Sequence, residues 1–240
     1  MRSQGYGDHI TVIVPCLDEE EAIAPLVRAL RRRLDPDRDR VIVVDNGSRD
    51  RTAELAREAG AEVVGEPRRG YGRACLAGLR AASDGIVVFL DGDGADAPED
   101  LEAVLVPLRA GDADLVVGCR RHREAGSMTL LQRAGNRLAT TLISLSCRVQ
   151  VTDLGPLRAI KAERLLALYP AAQTYGWSTE MTVKALRAGY RYKEIPVRHR
   201  RRLGTSKVSG TLPGSLRAGL GILWTAIRLT LWRPAADAAR

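Results

Sequence analysis

Two carboxylates, Asp91 and Asp93, stand at the end of the apolar run Val87-Val88-Phe89-Leu90. A buried strand that stops on Asp-x-Asp delivers both side chains to the mouth of an α/β sheet, where ligands bind in open parallel sheets. Hard oxygen donors in that position suit Mg2+ or Mn2+ bridging the phosphates of a nucleotide. A solvated acidic turn has the same local sequence, so the pair gains meaning only from what else reaches the mouth.

Three further stretches do. Val14-Pro15-Cys16-Leu17-Asp18-Glu19-Glu20-Glu21 leaves a first strand and opens a helix on acids. The helix macrodipole favours acids there, and carboxylates at that edge also suit a ribose or a base. Val44-Asp45-Asn46-Gly47-Ser48-Arg49-Asp50 is an Asx-rich turn after a second strand. Its Asp45 is placed to accept from the imide N–H of uracil or from the N1–H and amino group of guanine. Arg68-Arg69-Gly70-Tyr71-Gly72-Arg73-Ala74-Cys75 begins like a dinucleotide fingerprint. Cys75 takes the third glycine's place and the stretch follows the third strand, which excludes a nicotinamide site. Glycines and arginines at a helix N-terminus still form a diphosphate cradle.

The elements that must position these groups are legible as alternation. Strand-like runs at Ile10–Val14, Val41–Asp45, Ala61–Gly65, Ile86–Leu90 and Asp114–Gly118 alternate with helical patterns at Glu20–Arg33, Thr52–Ala59, Tyr71–Ala82 and Pro98–Arg109. That rhythm predicts an α/β fold with right-handed crossovers and a mostly parallel, Rossmann-like sheet flanked by helices. Ser48 and Asp50 are candidate N-caps of the second helix. Beyond it the spacing predicts a long helix over Ser127–Cys147 and strands at Leu157–Ile160 and Tyr190–Val197. A helix at Ser178–Ala188 separates those strands, and a terminal amphipathic helix follows at Thr211–Trp232. On the last, Arg217, Gly221, Thr225 and Arg228 make a narrow polar stripe. It suits an interfacial position on a membrane, or packing on the core or on a partner.

Composition narrows the class. With 240 residues, 45% hydrophobic and 4% aromatic, the chain can bury one large aliphatic core. The four cysteines are scattered and suggest neither zinc nor disulfides. Met1–His9 carries no secretory pattern, and no run reaches the roughly 18 apolar residues of a membrane span. A cytoplasmic location is expected, peripheral at most on the inner face of the membrane. The net charge of +8 is concentrated: Lys184–Lys207 holds nine Lys or Arg against Glu194 alone. Nucleic acid, anionic lipid and a phosphorylated substrate would all suit such a block, as would plain solvation. Nucleic-acid binding leaves the carboxylates at the sheet mouth unexplained and is not expected. A nucleotidyltransferase would want a glycine-rich basic loop where Asp18–Glu21 stands.

Taken in order, Pro15-x-x-Asp18-Glu19, Asp45-Asn46-Gly47-Ser48-x-Asp50-x-Thr52, Gly70-Tyr71-Gly72 and Asp91-x-Asp93 resemble the family 2 glycosyltransferases of the GT-A fold. The resemblance continues through Thr152-Asp153-Leu154-Gly155-Pro156, Tyr175-Gly176-Trp177-Ser178-Thr179-Glu180 and Arg200-Arg201-Arg202-Leu203-Gly204-Thr205-Ser206-Lys207. It looks most like the branch with dolichyl-phosphate mannose synthases and other polyprenyl-phosphate glycosyltransferases. The resemblance implies a glycosyltransferase domain over 1–211, with a nucleotide-sugar half (10–119) and an acceptor half (120–211), followed by the helix and tail of 212–240. It implies donor contacts from Pro15, Asp18, Glu19, Asp45, Gly47, Ser48, Arg69, Gly70, Gly72 and Asp91. Asp91 and Asp93 would hold the metal, with Asp93 acting in catalysis. Asp18 replaces the family's usual Asn, Asn46 a common second Asp, and Ala95 a frequent Gln, so that the metal leans on Asp96 or water.

An inverting transfer follows from that resemblance. The basic block favours a polyprenyl phosphate as acceptor, which is already anionic and needs positioning, for which Arg120, Arg121, Arg133, Arg201, Arg202 and Lys207 are candidates. A hydroxyl acceptor needs a base, for which Glu180 or Asp153 is the candidate. A protein that only binds nucleotide sugars would share the donor half. Base, sugar and oligomeric state are not encoded in any of these patterns.

Overall fold

The computed structural model describes residues 9–82, 84–204 and 212–232, with side chains from 219 onward in the last segment. One seven-stranded sheet, in the order β3-β2-β1-β4-β6-β5-β7, runs through it. The strands are β1 (Ile10–Cys16), β2 (Arg40–Asp45), β3 (Glu62–Gly65), β4 (Ile86–Phe89), β5 (Leu115–Arg123), β6 (Arg158–Lys161) and β7 (Tyr192–His199). All neighbours are parallel except β6, which lies antiparallel to both β4 and β5. The expected mostly parallel sheet is therefore present.

Period-2 alternation sorts the strand residues onto two faces. Val12, Val14, Val88 and Leu90 pack under α1 (Glu20–Arg31) and α4 (Leu101–Arg109). Ile13, Val87 and Phe89 point the other way, under α3 (Tyr71–Ala81) and α7 (Trp177–Arg187). There Phe89, the single phenylalanine, meets Trp177 edge-on with centroids 5.6 Å apart. α2 (Thr52–Glu58) follows β2, and α6 (Ala162–Ala167) follows β6. A third, smaller core gathers Ile143 of α5 (Leu130–Cys147), Val183 and Leu186 of α7, and Ala226 of α8 (Leu212–Arg228).

Several expectations shift in detail. β5 continues past Gly118 to Arg123, so Arg120 and Arg121 belong to a strand. α6 has only six residues, too short to show a period in the sequence. The long helix starts at Leu130, behind a capping box in which Thr129 accepts from the Gln132 N–H. Neither Ser48 nor Asp50 is the N-cap of α2; that residue is Arg51. Asp50 instead accepts from the Thr52 N–H from one residue further back, and Ser48 accepts from the Asp18 N–H.

The strand order reverses at β1, which has β2 on one side and β4 on the other. That is the topological switch point at which open α/β sheets bind ligands. Pro15 is tolerated in this central strand because β4 leaves the ladder early: the Ile13 carbonyl takes the Leu90 N–H, and pairing goes no further. Residues 13 and 15 face the same neighbour, so the missing N–H of Pro15 falls where no strand remains to receive it.

Candidate active site

A cleft of about 440 Å³ opens at this switch point. Of the residues singled out in the sequence, Pro15, Glu19, Arg69, Gly70, Asp91, Asp93 and Arg202 line it. Cys16, Leu17, Asn46, Tyr71, Thr174 and Tyr175 line it too, without having been assigned a role in the sequence.

Asp91 continues the face of β4 that carries Phe89, the face covered by α3. The Tyr71 hydroxyl, at the start of α3, accordingly donates to Asp91 Oδ1 at 2.9 Å. Burial, joined by the charges of Asp93 and Asp96, pushes the Asp91 carboxyl well above the ordinary carboxylate range. Burial raises Asp93 as well, against the N–H of Ala95 that donates to its Oδ1 at 2.9 Å. Gly92 between them has no room for a side chain, since a Cβ there would collide with Cys16 Sγ. The acid pair is thus pressed against the end of β1. Raised carboxyl groups of this kind mark a place where negative charge lacks a cation.

Arg202 supplies part of the compensation. Its guanidinium reaches Glu19 Oε1 at 2.7 Å and Asp93 Oδ2 at 3.4 Å. The segment is held there by backbone bonds from Arg200 N–H to the Ala95 carbonyl and from Leu203 N–H to the Asp93 carbonyl. Asp96, expected to support a metal, is buried and sits 3.3 Å from His199 Nδ1, while its Oδ2 accepts no hydrogen bond among the described residues. No three His, Cys, Asp or Glu among the described residues assemble a self-sufficient metal cage. Two aspartates with hard oxygens make a half-site instead. Such a half-site fits Mg2+ or Mn2+, which commonly bind through one or two carboxylates and complete their shell with water and substrate phosphate.

The residues expected at the nucleoside form a linked turn. Asp18 adopts a left-handed backbone, φ 53°, a conformation that Asn and Asp tolerate best among side-chain-bearing residues. Its Oδ1 accepts from the Arg49 N–H at 2.6 Å, and Asp45 Oδ1 accepts from the Ser48 N–H at 3.1 Å. Asp18, Asp45, Gly47 and Ser48 stand beside the cleft rather than among the residues lining it. Asn46 ties this turn to α3. Its amide donates to the carbonyls of Glu66 and Arg68 at 2.8 and 2.9 Å and accepts from the Gly70 N–H at 2.7 Å. An aspartate could supply the acceptor but neither donor.

Gly70 and Gly72 serve a purpose the sequence did not reveal. A Cβ on either would collide with the backbone of Ala172 or Gln173, and the Arg73 N–H donates to the Gln173 carbonyl at 3.1 Å. The glycines admit a chain crossing at the start of α3, and Gly70 alone of the two also lines the cleft. That crossing is held by Glu180, whose Oε2 accepts from the N–H groups of Ala171 and Ala172 at 2.9 and 2.5 Å. Glu180 Oε1 pairs with Lys184 Nζ at 2.8 Å, with both side chains buried.

Asp153 and Arg120, read from the sequence as base and acceptor contact, occupy each other. The guanidinium of Arg120 grips both carboxylate oxygens at 2.6 and 2.9 Å, and its backbone N–H adds a third bond at 2.8 Å. Against the upward pull of burial, these bonds hold the Asp153 carboxyl below its usual range. Of the other candidate arginines, Arg121 and Arg133 are exposed and do not line the cleft. Arg201 is tied to Glu124 and the Ala125 carbonyl. Lys207 lies outside the described residues.

Comparison with known proteins agrees with this architecture. The family model "Glycosyl transferase family 2" matches residues 11–155. An uncharacterized glycosyltransferase of Mycobacterium tuberculosis is 39% identical over 213 residues, 88% of this chain and 95% of the relative. The dolichyl-phosphate hexose transferase of Haloferax volcanii is 34% identical over 205 residues, 84% and 87% of the two chains. The undecaprenyl-phosphate mannosyltransferase of Micrococcus luteus is 31% identical over 248 residues, 92% and 98% of the two chains. Among solved structures, glucosyl-3-phosphoglycerate synthase from Mycobacterium tuberculosis, in complex with Mn2+, UDP and phosphoglyceric acid, superposes with a TM-score of 0.78. Its sequence identity is 25%, and the match covers 96% of this chain and 81% of that one. With its α/β sheet, its cleft at the switch point and these relatives, the chain belongs to glycosyl transferase family 2 and is a glycosyltransferase of the GT-A fold.

Proposed function

We propose that the protein moves a sugar, with inversion, from a UDP- or GDP-sugar to the phosphate of a polyprenyl phosphate, and that it requires Mg2+ or Mn2+. The observation that carries this reading is the half-buried pair Asp91 and Asp93, raised in pKa and facing a nucleotide-sized cleft. A cation bound there would neutralise the charge that builds on the leaving diphosphate. Arg202, bridging Glu19 and Asp93, is placed to turn toward incoming phosphate oxygens once a metal takes over Asp93. Residues 10–119 then form the donor half, with Asp45, Ser48 and Asp18 at the nucleoside, and 120–211 the acceptor half.

The choice of a phosphate acceptor rests on the state of the remaining acids. Asp153 is clamped by Arg120, and Glu180 by Lys184 and two backbone N–H groups. Neither is free to remove a proton from a hydroxyl, whereas a lipid phosphate is ionised near neutral pH and needs no base. Two relatives named for dolichyl-phosphate and undecaprenyl-phosphate chemistry support the same acceptor class. A soluble phosphorylated acceptor is the second reading, favoured by the phosphoglyceric acid in the complex of the structural neighbour.

The test is transfer of labelled sugar by the purified protein from UDP- and GDP-sugars, with Mn2+, to a short-chain polyprenyl phosphate and to phosphoglycerate. Product on the lipid phosphate alone is expected. Product only on the soluble acceptor would replace this reading with the second. Transfer that survives excess chelator undiminished would remove the metal.

A further inference from the structure

α5 and α8 carry a surface that packing alone does not explain. Thirteen large apolar or aromatic side chains stand exposed among the described residues, and eight belong to α5, α8 and the short 3-10 turn Leu229–Leu231 that extends α8. On α5 the stripe is Leu131, Leu138 and Leu145, spaced i, i+7, i+14, with Leu130 beside it. On α8 and its extension it is Leu220, Trp224, Ile227 and Leu231, spaced i, i+4, i+7, i+11. Trp224 is 67% and Leu231 88% exposed. Each helix buries another side in the same small core: Ile143 from α5, Ala226 and Leu229 from α8 and its extension. The two helices pack against each other and both stripes are exposed to solvent, and exposed apolar surface of this kind marks an interaction site.

Charge decides what it meets. Neither helix contains an Asp or a Glu, while Arg133, Arg137 and Arg228 stand exposed on them. An isologous contact between two copies would bring together faces that carry only positive charge. Anionic head groups would neutralise those arginines and receive Trp224 at the depth where tryptophan settles. Among the described residues no helix is long and apolar enough to cross a bilayer, so such a face lies on the surface. The inner side of α8 reaches the neighbourhood of the cleft: buried Thr225 packs so closely on Gly176, next to the cleft-lining Tyr175, that a Cβ there would collide with its hydroxyl.

We infer that α5 and α8 together form the surface by which the protein adsorbs to an anionic membrane, presenting the cleft to acceptors held in that membrane. The inference rests on the lipid-phosphate reading of the acceptor, and the following experiment separates the two. The full chain is floated with vesicles of phosphatidylglycerol and phosphatidylcholine, or of phosphatidylcholine alone. Two double variants are compared, Leu145→Gln/Trp224→Gln and Arg137→Gln/Arg228→Gln, and all proteins are assayed on a short-chain, water-dispersed polyprenyl phosphate.

The native chain floats with the anionic vesicles at low salt and is released at about 1 M salt, where the Debye length falls to roughly 3 Å. The apolar double variant loses partitioning by roughly tenfold or more, the arginine double variant loses the preference for anionic lipid, and both transfer to the dispersed acceptor at the native rate. Native protein that stays unbound at low salt overturns the inference, as do variants that float as well as the native chain. A dimer in sedimentation that Leu145→Gln/Trp224→Gln dissolves would assign the face to a second copy. If the native chain floats but transfers nothing to the dispersed acceptor, the surface stands and the lipid-phosphate reading falls.

Discussion

Two pairs of acids, one buried and one half-buried, sit within one protein and have opposite characters. Asp153 and Glu180 are each matched by a cation, Arg120 and Lys184, and by backbone N–H groups. Asp91 and Asp93 are half-buried side by side, among the described residues share only the Tyr71 hydroxyl, the Ala95 N–H and one edge of Arg202, and are raised in pKa. The same functional group thus serves as a structural clamp where its charge is matched and, in the function proposed above, as a receptor for a cation where it is not. Residue type does not distinguish the two; the neighbours do.

The sharpest way to break this contrast is to neutralise one member of each pair. Asp153→Asn strands a buried guanidinium and should cost about 3–5 kcal/mol of stability, seen as a lower urea midpoint. Asp93→Asn should leave the urea midpoint at or above the native value and instead cost about 3–4 kcal/mol of transition-state stabilisation, read as kcat/KM with saturating Mn2+. If Asp93→Asn destabilised the fold as much as Asp153→Asn, the contrast would collapse. The two pairs would then be structural alike.

Smaller effects sharpen it. Asp45→Ala should weaken nucleotide-sugar binding by roughly 1–3 kcal/mol in calorimetry, the scale of leaving a polar partner unpaired. Asn46→Asp, which removes two donors facing the Glu66 and Arg68 carbonyls, should raise the donor KM more than it lowers kcat. The pH response of Asp153 has a definite sign. Its carboxyl is held below the unfolded value, so its stabilisation is complete above about pH 4 and is lost as pH falls through the lower folded value. The difference in urea midpoint between native protein and Asp153→Asn should therefore shrink on acidification and stay constant above neutrality.

The N-terminal half of the sheet was legible because its signals are local. Alternating apolar runs end on Pro15, Asp45 and Asp91, and the sheet brings those ends to one switch point. The C-terminal half was harder. Arg120 and Asp153 are 33 residues apart, and only the β5–β6 pairing places them together. Spacing alone could have paired Glu180 with Lys184, an i, i+4 contact on α7. No spacing could have foretold that Gly70 and Gly72 admit the backbone of residues 172–173, a contact across 100 residues of sequence.

What the sequence determined by itself is the set of elements and the chemistry at their ends. Short, continuous apolar runs must become buried strands, an Asp-x-Asp after one of them must reach the mouth of the sheet, and an acid-free apolar helix must hide or meet something apolar. What only the tertiary structure decided is which charges are matched. Burial and pairing are properties of neighbours, and the neighbours of Asp91, Asp153 and Glu180 come from strands, loops and helices far along the chain. The outward turn of the α5 and α8 stripes is decided in the same way, by which side of each helix the small core with α7 claims first.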